Sequence, residues 1–117
     1  MSKKRVAIYA RTGSSMEAGF AQRMKLRRFA EMQPDWEIVS TTEDMMISCD
    51  SCQRLGLLRL ISEAAESKID IVLAQSPARF YRDANKTEDV LRQFRERGAS
   101  VVFARDKPWS GNSLSAP

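Results

Sequence analysis

Val6-Ala7-Ile8-Tyr9-Ala10-Arg11-Thr12-Gly13-Ser14-Ser15 decides the reading of this chain. An apolar, β-prone run ends in an arginine, and a glycine and two serines follow before a helical pattern begins at residue 16. This is a strand emptying into a loop at the edge of a sheet, where ligands bind in open α/β proteins. Outward from it, Trp36–Thr42 alternates enough for a second strand. Ile69–Ala74 is nearly all apolar and reads as a central strand covered on both faces. Ser100–Ala104 supplies a fourth.

Helical patterns fill the gaps. The first runs over 16–33 and is ended by Pro34, with Phe20, Met24, the stem of Arg27 and the Phe29/Ala30 turn expected on its buried side. The second, over 54–67, repeats Leu57, Leu58, Ile61, Ala64 and Ala65 at helical spacing. The third, over about 86–97, buries Val90, Leu91 and Phe94 and stops at Gly98. Asn85 and Glu88 are spaced as a capping box at its start. Residues 43–53 and 75–84 read as loops after the second and third strands. The order β-α-β-α-β-α-β predicts a three-layer α/β/α fold with a mostly parallel sheet of four to five strands. Residues 1–106 form one domain, and 107–117, rich in Pro, Ser, Gly and Asn, read as a flexible tail or the start of a linker.

Length and composition bound the function. A chain of 117 residues buries a real core as a single domain. No apolar run approaches a membrane span and the N-terminus is not a signal sequence, so the expected compartment is the cytoplasm, with no membrane partner. Nineteen basic against fifteen acidic residues give a net charge of +4, compatible with a polyanion. There is no histidine, which removes the commonest general base. Cys49 and Cys52 form a C-x-x-C pair with no second pair to close a zinc site; they read as reduced thiols in a loop, and no metal or cofactor is expected.

The loops after parallel strands share one edge of the sheet. Arg11 follows the first strand, Arg54 closes the loop after the second, and Arg79 and Arg82 lie in the loop after the third. Guanidinium forks suit phosphate oxygens, so four arginines from three loops, beside Gly13-Ser14-Ser15, predict a phosphate site. Neither G-x-x-x-x-G-K-[ST] nor G-x-G-x-x-G is present. A hydroxyl nucleophile surrounded by arginines is another solution to phosphoryl transfer, needing no metal.

These residues, in this order and spacing, resemble the catalytic domain of the serine recombinases, the resolvase/invertase and large serine integrase family. Val6–Arg11 matches its opening Y-x-R strand, Gln22 its first helix, and Arg54-Leu55-Gly56-Leu57 the R-x-G-L that starts its second. Ile69–Leu73 matches its third strand, Arg79-Phe80-Tyr81-Arg82-Asp83 its R-F-x-R-[DN] loop, and Val90–Phe103 its closing stretch. The resemblance implies a resolvase-like fold, DNA as partner, and self-association from dimer to tetramer in the full-length context. It implies strand cleavage and exchange through a 5′-phosphoserine intermediate, with Arg11, Arg54, Arg79 and Arg82 holding the scissile phosphate and Gln22 supporting the loop.

The chain departs from the family where the nucleophile should be. R-x-S places a serine two residues after the arginine, but that position is Gly13, and the serines follow it. Ser14 has two readings: a shifted nucleophile, or the N-cap of the capping box Ser14-Ser15-Met16-Glu17. Ala78 stands where many members carry an aspartate. Two alternatives to an active recombinase follow: a catalytically silent resolvase-like domain that binds DNA or a partner recombinase, and a small α/β domain binding a phosphate ligand.

Overall fold

β1 (Lys4–Arg11) is the longer of the two interior strands of the sheet. The computed structural model describes residues 3–11, 16–44, 54–76, 79–81 and 83–104. After β1 come α1 (Met16–Glu31), β2 (Trp36–Asp44), α2 (Leu55–Ala65), β3 (Ile71–Ala74), α3 (Ala84–Glu96) and β4 (Ser100–Phe103). The sheet has four strands in the order β2-β1-β3-β4, every neighbouring pair parallel. This is a three-layer α/β/α arrangement with a wholly parallel sheet, α1 on one face and α2 and α3 on the other. Among the described residues no helix is long and apolar enough to cross a membrane.

The pleat of β1 sorts its side chains between two cores. Val6, Ile8 and Ala10 pack with Leu26 and Ala30 of α1 and with Trp36, Ile71, Leu73 and Val102. Ala7 and Tyr9 face the other way, into Leu57, Leu60 and Ala64 of α2 and Val90 and Phe94 of α3. Strand β3 lies between β1 and β4 and is buried throughout, as its unbroken apolar run requires. Edge strand β2 carries a bulge: Val6 pairs with Ile38 but Ala7 pairs with Ser40, leaving Val39 unpaired and exposed.

At the N-terminal end of the sheet, Arg5 and Asp70 are tied together. The Arg5 guanidinium donates to both carboxylate oxygens (3.1 and 3.2 Å), and the Arg5 backbone N–H donates to Oδ2 at 2.8 Å. These bonds, and the opposite charge each group sees in the other, lower the Asp70 pKa and raise that of Arg5.

Several local expectations need correction. The buried side of α1 is Gly19, Gln22, Leu26 and Ala30, with Phe29 half-buried; Phe20 is 57% exposed, and Met24 and Arg27 also face outward. The helix turns Gly19 and a glutamine inward beside Leu26 and Ala30, so Phe20 and Met24 mark the wrong face. On α2 the inner positions are Leu57, Leu60 and Ala64, while Leu58 and Ala65 are exposed and Ile61 is half-buried. Helix α3 begins at Ala84, and its cap is Asp83, whose carboxylate accepts from the backbone N–H groups of Asn85 (2.8 Å) and Lys86 (3.4 Å). Asn85 is therefore inside the helix. At the other end Gly98 adopts φ +84°, the left-handed conformation that stops a helix cheaply.

Candidate functional site

The site is built at the C-terminal edge of the sheet, where β1, β2 and β3 end. Arg11 is the last residue of β1 and is 6% exposed. Its backbone is fixed from α1. The Gln22 side chain accepts from the Arg11 N–H (3.3 Å) and donates through Nε2 to the Arg11 carbonyl (3.2 Å), copying a strand partner. Arg79 reaches the same carbonyl through Nη1 at 3.4 Å, and its Nε donates to the side-chain oxygen of Gln75 at 3.2 Å.

Arg54 is the most enclosed charge, 2% exposed. Its Nε and Nη2 donate to the Tyr9 hydroxyl at 3.2 and 3.0 Å, and Nη2 also donates to the Arg79 carbonyl at 2.6 Å. Its counter-charge is Asp44, with Nε 3.7 Å from Oδ2. Asp44 ends β2, in a stretch that the sequence pattern assigns to a loop from residue 43. Its carboxylate accepts from the Tyr9 hydroxyl (2.7 Å) and from the backbone N–H groups of Gly56 (2.7 Å) and Leu57 (3.1 Å). The last two are donors that the first turn of α2 cannot satisfy internally. Arg54, at the N-cap position, makes no side-chain cap bond, so the cap is supplied from β2. Burial and the bond to Asp44 push the Tyr9 phenol well above its usual pKa, against the opposing pull of Arg54.

The loop after β3 is anchored by its middle residue. Phe80 is fully buried, stacked on Tyr9 with centroids 5.6 Å apart, and meets Phe94 and Phe103 at 6.3 and 6.0 Å. Its neighbours Arg79 and Tyr81 then lie beside Arg11 and Arg54 respectively.

Of the residues singled out from sequence, Arg11, Gln22, Arg54 and Arg79 converge through this chain of bonds. Ser14 and Arg82 lie outside the described residues, as do Gly13, Cys49, Cys52 and Ala78. Tyr9 and Asp44 were missed as functional residues. The signal for Asp44 was indirect: a helix starting Arg54-Leu55-Gly56 has no capping side chain of its own and needs an acceptor from elsewhere. Three guanidinium groups against one carboxylate leave the edge cationic, suited to an anionic ligand. Among the described residues, no group of three or more His, Cys, Asp or Glu side chains is placed to hold a metal ion.

A family model, the resolvase N-terminal domain, matches residues 6–114. Among solved structures, the C-terminal catalytic domain of ISC1926 TnpA, an IS607-like serine recombinase, is 25% identical with a TM-score of 0.76, covering 95% of this chain and 76% of that one. The N-terminal catalytic domain of TP901-1 integrase is 26% identical with a TM-score of 0.75, covering 86% and 77%. A resolvase family site-specific recombinase from Streptococcus pneumoniae gives 26% and 0.75, covering 87% and 72%. Curated proteins yield no match. With a family model spanning nearly its whole length and the folds of these catalytic domains reproduced, the chain belongs to the resolvase family, as a serine-recombinase catalytic domain.

Proposed function

We propose that this domain cleaves and exchanges DNA strands in site-specific recombination, acting through Ser14. The serine oxygen attacks the scissile phosphorus, the bond to the 3′ oxygen breaks, and that oxygen leaves as a 3′-hydroxyl, taking up a proton. The 5′ phosphate stays on the serine as a diester. The reverse attack, by a 3′-hydroxyl on the phosphoserine, reseals the strand and frees the serine. Bond energy is kept throughout, so the cycle needs no nucleotide. Arg11, Arg54, Arg79 and Arg82 neutralise the charge that builds on the phosphorane oxygens. Gln22 holds the end of the strand that carries Arg11. Residues 1–106 are the catalytic unit, and subunits associate on DNA to bring two sites together.

The observation that carries this reading is the linkage of Arg11, Arg54 and Arg79, from three separate segments, at one sheet edge. A second reading rests on Gly13: a domain of this fold that binds DNA or a partner recombinase and cuts nothing.

A covalent trap separates them. The protein is incubated with a nicked suicide duplex and its intact mass is read after denaturation. The leading reading expects a DNA adduct on Ser14, lost in Ser14→Ala. No adduct from wild type but one from Gly13→Ser establishes the second reading. No adduct from either removes strand cleavage as the function.

A further inference from the structure

Two of the three nitrogens of the Arg54 guanidinium are committed. Nε and Nη2 serve the Tyr9 hydroxyl, and Nη2 also serves the Arg79 carbonyl. Nη1 is buried and has no hydrogen-bond partner among the described residues. An orphaned buried donor of a charged group is costly, and natural proteins keep one where a ligand will complete it.

This guanidinium lies over the ring of Tyr81, its Cζ 4.7 Å from the ring centroid. An aromatic ring beneath a guanidinium holds it by cation–π attraction and does not take the place of an oxygen acceptor. Tyr81 is itself held. Its carbonyl accepts from the buried Thr87 hydroxyl at 2.9 Å, its preceding neighbour Phe80 is sunk in the core, and Lys86 Nζ lies 5.8 Å from its ring.

We propose that Tyr81 is a positioning residue: its ring locks the Arg54 guanidinium so that Nη1 is the one nitrogen left to donate to a phosphodiester oxygen of DNA. This rests on the function proposed above. Arg54 then meets the phosphate through Nη1 alone, the fork of Nε and Nη2 being already occupied. The role belongs to the ring and not to the Tyr81 hydroxyl, so phenylalanine substitutes for it and leucine, apolar but without a ring, does not.

The test uses the full chain labelled with nitrogen-15. The Nε–Hε resonance of Arg54 is assigned by its loss in Arg54→Lys. Tyr81→Phe is expected to leave its shift and slow solvent exchange unchanged, whereas Tyr81→Leu moves it and speeds exchange. Affinity for a short DNA duplex follows the same split, unchanged in Tyr81→Phe and weaker by about fivefold in Tyr81→Leu. Tyr81→Gln serves as a second ring-free variant should Tyr81→Leu melt early. An Arg54 resonance that stays in place in the ring-free variants overturns the positioning role. Resonances that move as expected, with wild type showing no duplex binding, uphold Tyr81's hold on Arg54 and overturn the DNA reading and the phosphate assignment of Nη1.

Discussion

Asp44 Oδ1 stands 2.7 Å from the backbone nitrogen of Gly56, and a Cβ placed on Gly56 would lie 2.8 Å from that same oxygen. The second residue of α2 is a glycine because the carboxylate that caps the helix must come this close. A Cβ there would also meet Thr42 Cγ2 at 2.8 Å.

Gly56→Ala is therefore expected to destabilise the domain despite alanine's better helix propensity. The propensity gain is at most about 1 kcal/mol, while displacing a packed carboxylate and a strand side chain costs about 1–3 kcal/mol. Urea unfolding measures the difference, and a more stable variant would show that Asp44 can move without loss.

Asp44 also carries the counter-charge of Arg54, and both side chains are buried. Asp44→Ala leaves a buried guanidinium without its anion and the first turn of α2 without its cap, a loss of about 3–5 kcal/mol. Asp44→Ala combined with Arg54→Met is expected to cost less than the sum of the two single changes, because the second removes the charge stranded by the first. A double-mutant cycle in urea reads this coupling directly.

Only a side-chain amide can both accept from the Arg11 N–H and donate to the Arg11 carbonyl, as Gln22 does. Gln22→Glu keeps the acceptor, loses the donor and sets a negative charge beside a carbonyl oxygen. Exchange of the Arg11 amide proton should quicken by about tenfold, the equivalent of one hydrogen bond. If exchange is unchanged, β1 does not depend on α1 for its last residue.

Far from this edge, Asp70 gives the domain an acid-sensitive tie. Its folded pKa lies below the ordinary 3.8, chiefly because the Arg5 side chain bonds the carboxylate. Stability from this pair is thus fully present above the ordinary carboxyl range and is lost as pH falls through the depressed value. Asp70→Asn should be less stable than wild type at neutral pH, with the gap closing as the medium is acidified. Both side chains are partly exposed, so added salt should also narrow the gap. Thermal melts across pH and salt check both trends.

The sheet and its helices were legible from the sequence because their signals are local. The apolar run of β3 announces a strand buried on two faces, and Gly98 announces a helix end. The inner face of α1 was not legible. Hydrophobic periodicity favours Phe20 and Met24, but Gln22 turns inward to pair with the backbone of Arg11, a partner that no side-chain pattern encodes. At the site, the arginines could be listed and brought to one edge by topology alone. Their division of labour could not, since it depends on Tyr9 meeting Asp44 and Arg54 across 35 and 45 residues of chain. Asp44 in particular sits where the strand outlasts its own alternating pattern.

The unpaired Val39 has a consequence for how copies of this domain can meet. With nine residues, β2 is the longest strand at either border of the sheet, and an open border of that length is a template on which another chain can zip. The extra residue breaks the regular hydrogen-bonding spacing midway and twists the border away from flatness. Fusion of two sheets into one across β2 is thereby disfavoured. The same irregularity guards the exposed border against templating the growth of fibres.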